Sequence, residues 1–74
     1  MIHPTAIVSP KAKIGVNVKI GPFALIDDDV KIGDNCVIEA KAHLQFCEIG
    51  SSNYIGESAL IGGPPQDLKY DNKR

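Results

Sequence analysis

The stretch Ile14-Gly15-Val16-Asn17-Val18-Lys19-Ile20-Gly21-Pro22-Phe23-Ala24-Leu25-Ile26-Asp27-Asp28-Asp29-Val30-Lys31-Ile32-Gly33-Asp34-Asn35-Cys36-Val37-Ile38 repeats its character every six residues. Followed outward, the spacing puts aliphatic residues at Ile2, Val8, Ile14, Ile20, Ile26, Ile32, Ile38 and Leu44. The frame then slips by one residue and resumes at Ile49, Ile55 and Ile61. Nine of these eleven positions are Ile, and Ile7 alone lies outside the set. The next residue is Gly at 15, 21, 33, 50, 56 and 62, and Asp27 takes that slot once. Gly and Asp suit a tight corner where φ is positive, so a corner at each Gly is the expectation. Four residues after each aliphatic sits a small or compact one: Ala6, Ala12, Val18, Ala24, Val30, Cys36, Ala42 and Ala59. In an extended segment that residue and the next aliphatic are two apart and share a face. Each hexad therefore reads as a short strand with two inward residues, then a corner.

A helix fits poorly. A period of six does not match 3.6, and an Ile/Val/Gly-rich chain with Pro4, Pro10 and Pro22 has low helix propensity. Hairpins need turn dipeptides at wider spacing. Strands this short, turning every six residues in one sense, build a solenoid of three hexads per coil. Residues 2 to 62 fill about three and a half such coils. This hexapeptide pattern resembles the left-handed parallel β-helix of the bacterial acyltransferase superfamily, and the resemblance supplies the handedness. The fold class expected is all-β, with the β-helix over 1–62 and a segment leaving the coil over 63–74.

Stepping 18 residues, or 17 across the slip, sorts the outward residues by face. One face carries Ile7, Leu25, His43 and Leu60, with Phe23 nearby. A second carries Lys13, Lys31 and Glu48, with Lys11 and Asp29. The third carries Lys19, Val37 and Tyr54, with Asn17, Asn35 and Ser52. The first is apolar where solvent is expected and reads as a protein–protein contact. Cys36 falls at an inward position, and Cys47 is expected to point outward.

Composition narrows the function. The chain has 74 residues, 43% hydrophobic and 23% charged, with a net charge of −1. That balance excludes a nucleic-acid binder working by phosphate neutralisation. No apolar run reaches a membrane span. Two cysteines without a secretory signal do not make a disulfide framework, so a reducing cytoplasm is the default location. His3 and His43 are isolated, so no metal site is expected, and the periodic glycines are corners rather than a phosphate loop.

The repeat breaks at Asp67, where an aliphatic is due. Two glycines and two prolines in Gly62-Gly63-Pro64-Pro65 end strand structure and start a loop. The run Ile61-Gly62-Gly63-Pro64-Pro65-Gln66-Asp67-Leu68-Lys69-Tyr70 resembles a signature of the UDP-N-acetylglucosamine acyltransferase family of lipid A biosynthesis. The opening Ile2-His3-Pro4-Thr5-Ala6-Ile7-Val8 is similar to that family's start. The resemblance implies transfer of a 3-hydroxyacyl chain from acyl carrier protein to the 3-hydroxyl of UDP-N-acetylglucosamine, without a cofactor. It implies a homotrimer, here through the face with Ile7, Phe23, Leu25 and Leu60, and a His acting as general base. Matched residue by residue, Gln66, Asp67 and Lys69 are the substrate-binding positions. Asp67 accepts from hydroxyls, Gln66 donates or accepts, and Lys69 offers a cation to the diphosphate.

Neither His3 nor His43 is expected to be the base, which in the family lies several coils further on, as does a helical domain. The 74 residues are thus expected to carry part of the substrate site, to be inactive alone, and to leave a bare Ile layer on the last coil. A non-catalytic β-helical assembly module and a piece of another hexapeptide acyltransferase remain alternatives.

Overall fold

The computed structural model describes residues 1–62. Within them the chain forms ten short parallel strands: β1 (Ile7–Val8), β2 (Lys13–Ile14), β3 (Lys19–Ile20), β4 (Leu25–Ile26), β5 (Val30–Ile32), β6 (Val37–Ile38), β7 (His43–Gln45), β8 (Cys47–Ile49), β9 (Tyr54–Ile55) and β10 (Leu60–Gly62). Every third strand stacks, which gives three sheets: β1-β4-β7-β10, β2-β5-β8 and β3-β6-β9. The molecule is a parallel β-solenoid of three coils and part of a fourth. Ile2 starts the first coil by bridging Ile20, and the N-terminal amine donates to Val18 O at 2.5 Å.

The ladders reproduce the expected faces. Ile7, Leu25, His43 and Leu60 stack in one column. Lys13, Lys31 and Glu48 form the second, and Lys19, Val37 and Tyr54 the third. The core is the inward pair of each hexad. Ile20, Ile26, Ile32, Ile38, Leu44, Ile49, Ile55 and Ile61 are buried with Val18, Ala24, Val30, Cys36 and Ala42 between them. No polar or charged residue is buried among the described residues. The last described layer, Ile49, Ile55 and Ile61, is as buried as those beneath it, which corrects the expectation of a bare end there. The open layer is the first, where Ile2 is 46% exposed.

The corners differ from the expectation in one respect. Gly62 apart, positive φ falls not on the described periodic glycines but two residues later, at Asn17, Phe23, Asn35, Ser52 and Ser58, and at Lys41 two residues after Glu39. Each corner is a β-turn that starts at the residue after the aliphatic. Ala6, Ala12, Ala24, Ala42 and Ala59 N–H donate back to the carbonyls of His3, Ser9, Gly21, Glu39 and Gly56. Pro4, Pro10 and Pro22 occupy the second turn position, where their fixed φ is suited. At Gly15, Gly21 and Gly33 the first position has no room for a Cβ because the next coil passes directly over it. A Cβ on Gly33 would lie 2.7 Å from Ser51 N, and one on Gly21 would lie 2.8 Å from Ala40 N. Gly62 alone among the described glycines takes positive φ, at 93°.

The slip is also resolved. β8 pairs with β5 in the register Val30↔Cys47, Lys31↔Glu48 and Ile32↔Ile49, so the strand is intact and the missing residue comes from the corner. Phe46 makes that shortened corner at φ 47. Cys47 consequently takes the small inward slot rather than an outward one, and packs half-buried against the core. Burial pushes its thiol pKa up to about 11, against a smaller lowering by a hydrogen bond to the Gln45 backbone. It is a poor nucleophile near neutral pH.

Candidate functional site

One of the three corner columns differs from the others. After β2, β5 and β8 the first turn position is Gly15, Gly33 and Gly50. After β3 and β9 it is Gly21 and Gly56, with Glu39 between. After β1, β4 and β7 it is Ser9, Asp27 and Gln45, and Gly62 closes that column. Side chains therefore line the edge of the β1-β4-β7-β10 sheet on three successive coils, where the other corners are mostly glycine.

These side chains interact. His43 Nε2 lies 3.3 Å from Asp27 Oδ2 and 3.2 Å from Gln45 Nε2. A single ring nitrogen cannot serve both in one state. Protonated there, His43 donates to Asp27, and Gln45 must present its carbonyl oxygen instead. Unprotonated there, it accepts from the Gln45 amide. One coil below, Ser9 Oγ donates to Asp28 Oδ1, and Lys11 N–H donates to Ser9 Oγ at 3.0 Å. Asp27, Asp28 and Asp29 make this an acidic corner.

The same sheet presents its outward column to solvent. Ile7 is 66% exposed and Leu60 70%. Phe23 borders the sheet at one corner, 65% exposed, and Phe46 borders it at the other, 52% exposed. Beside Phe46 the shortened corner leaves an open hollow of about 520 Å³ lined by Lys13, Lys31, Asp29 and Glu48 among others. Lys31 and Glu48 approach to 3.9 Å across it, both well exposed. That pair adds little to stability.

Of the residues singled out in the sequence, Gln66, Asp67 and Lys69 lie outside the described residues. Gly62, from which the chain runs on towards them, sits over Gln45 in the ladder. His3 is exposed and bonded to Thr5, away from this edge. The described residues hold no group of His, Cys, Asp and Glu arranged for a metal ion. Both cysteines are free thiols. The Asp27–His43–Gln45 cluster went unnoticed in the one-dimensional reading. Its signal was present: three non-glycine residues 18 apart in a slot that glycine otherwise dominates.

A family model described as bacterial transferase hexapeptide (six repeats) matches residues 11–45 and 29–63, most of the solenoid. The chain belongs to the bacterial transferase hexapeptide family. It is 47% identical over 76 residues to an acyl-[acyl-carrier-protein]–UDP-N-acetylglucosamine O-acyltransferase of Rickettsia bellii, covering 99% of this chain and 26% of that protein. It is 45% identical over 74 residues to the protein of the same name in Chlamydia abortus, covering 99% of this chain and 26% of that one. Among solved structures, a UDP-N-acetylglucosamine acyltransferase from Campylobacter jejuni superposes with a TM-score of 0.83 at 37% identity, covering 95% of this chain and 28% of that chain. The chain thus spans about a quarter of the length of the curated relatives it matches. The resemblance carried by its opening residues and by the run after Ile61 is met by relatives of that name. No helix among the described residues is long and apolar enough to cross a membrane.

Proposed function

We propose that the protein transfers a 3-hydroxyacyl chain from acyl carrier protein to the 3-hydroxyl of UDP-N-acetylglucosamine, a step of lipid A biosynthesis carried out in the cytoplasm. The observation that carries this reading is 45–47% identity along essentially the whole chain to enzymes named for that reaction. In the reaction the sugar oxygen bonds to the acyl carbon as the thioester C–S bond breaks. The hydroxyl proton passes to a base, and the carrier leaves as its thiol. An imidazole is suited to that proton.

Gln66, Asp67 and Lys69 form part of the substrate site in this reading. Asp67 and Gln66 take hydroxyls, and Lys69 takes the diphosphate. Neither His3 nor His43 is the base. His3 is tied to Thr5 in the first turn, and the Nε2 of His43 is held by Asp27 when it carries a proton and by Gln45 when it does not. The protein acts as a homotrimer through the face with Ile7, Phe23, Leu25 and Leu60. The exposure of Ile7, Phe23 and Leu60 supports that assembly, because aligned apolar side chains on a rigid sheet are costly to leave in water.

The test is an assay of the purified full natural chain with 3-hydroxyacyl carrier protein and UDP-N-acetylglucosamine, read by mass spectrometry. A singly acylated nucleotide sugar is expected. Lys69→Ala is expected to raise KM for the nucleotide sugar about tenfold or more, since a charge-assisted contact to phosphate is lost. Absence of acylated nucleotide sugar from the unaltered protein would overturn the reading.

A further inference from the structure

The two corners that border the β1-β4-β7-β10 sheet carry features that an isolated subunit does not explain. The left-handed slot of each corner is an unfavourable place for a bulky side chain. On the corner remote from this sheet the slot holds Asn17, Asn35 and Ser52, polar residues that tolerate it well. On the bordering corners it holds Lys41 and Ser58 but also Phe23 and Phe46, two bulky aromatics that are each more than half exposed. Strain and exposed aromatic surface at both edges of one sheet mark a surface built to be covered.

The charges on these corners are complementary. One corner carries Asp27, Asp28 and Asp29. Asp27 is engaged by His43 and Asp28 by Ser9, which leaves the exposed Asp29 with no ion pair among the described residues. The opposite corner carries exposed Lys41, at φ 64 and likewise with no ion pair among the described residues. Their heights along the solenoid match. Successive coils rise by about 4.8 Å per 18 residues, so the 12 residues from Asp29 to Lys41 correspond to only ~3 Å of rise. Phe46 lies ~1.3 Å above Lys41 by the same arithmetic.

We propose that neighbouring copies of this chain meet corner to corner with this sheet turned inward, Asp29 of one copy pairing with Lys41 of the next. Phe46 and Phe23 are the apolar anchors on either side of that pair. The contact is heterologous, with a different corner on each copy, and three copies related by a threefold rotation close it into a ring. A cyclic axis parallel to the solenoid keeps every copy at one height, and the two charges then fall within reach of a lysine side chain. This rests on the trimeric reading above and names the contacts that make it.

The test is the oligomeric state of the full natural chain by analytical ultracentrifugation at low and high salt. Wild type is expected to be trimeric. Lys41→Glu and Asp29→Lys, each alone, are expected to raise the dissociation constant at least tenfold, with circular dichroism showing the β-solenoid intact. The double variant carrying both changes is expected to recover the wild-type constant. Phe46→Ser is expected to weaken assembly as well, while Asn35→Asp on the remote corner leaves it unchanged. A trimer indifferent to both single charge changes, or a double variant that fails to recover, would overturn this contact and leave the trimer standing. A monomeric wild type would overturn both.

Discussion

Gly33→Ala tests the claim that the periodic glycines serve close approach rather than unusual φ. The added Cβ would lie 2.7 Å from both Ser51 N and Ser51 Oγ and 3.0 Å from Gly50 C. An ordinary contact needs about 3.5 Å. Two of the three obstacles are backbone, so the coil above must rise by ~0.8 Å locally to reach that separation. The Gly33 N–H to Ile49 O bond, 2.8 Å long, bridges the same gap and would be stretched out of hydrogen-bonding range. Overpacking of this kind costs about 1–3 kcal/mol, and the lost backbone bond about 1 kcal/mol. Against this, Ala restricts the unfolded chain and returns roughly 0.4–1 kcal/mol. The net expectation is a destabilisation of about 2 kcal/mol, read as a lower denaturation midpoint in guanidinium by circular dichroism. Ser58→Gly is the matched control. Ser58 sits at φ 60, so glycine there relieves left-handed strain and should be neutral to slightly stabilising. Equal or greater stability of Gly33→Ala would refute the close-approach argument.

Ile38→Ala removes a side chain 1% exposed from a coil that is covered above and below, and should cost about 2–5 kcal/mol in urea denaturation. Cys47 should resist iodoacetamide at pH 8 and react appreciably only as the pH approaches 11, because burial keeps its thiol protonated. The folded pKa lies above the ordinary value of 9.0, so stability is fully present below about pH 9 and is lost as pH rises towards 11. Denaturation midpoints measured from pH 7 to 11 in wild type and Cys47→Ala check the sign, and the wild type should decline more steeply than the variant above about pH 9.

The repeat in the sequence was sufficient for the fold because a solenoid is nearly one-dimensional. Side-chain alternation along a strand and a corner every six residues are local properties, and a step of 18 converts them into columns. Ile7 over Leu25 over His43 over Leu60, and the buried ladders of Ile, follow from that arithmetic and are found in the ladder register. Where local rules compete, tertiary contact decided. Asn17, Phe23 and Asn35, the left-handed residues, sit two places beyond Gly15, Gly21 and Gly33, since the turn begins at the glycine and the neighbouring coil forbids a Cβ there. The slip fell in the corner, not the strand, because the β5–β8 ladder holds its register, and that turned Cys47 inward. Asp27, His43 and Gln45 meet only because coils stack, as no window of sequence places residues 16 and 18 apart side by side. The chain by itself determined its periodic backbone; the spacing between coils determined which side chains touch.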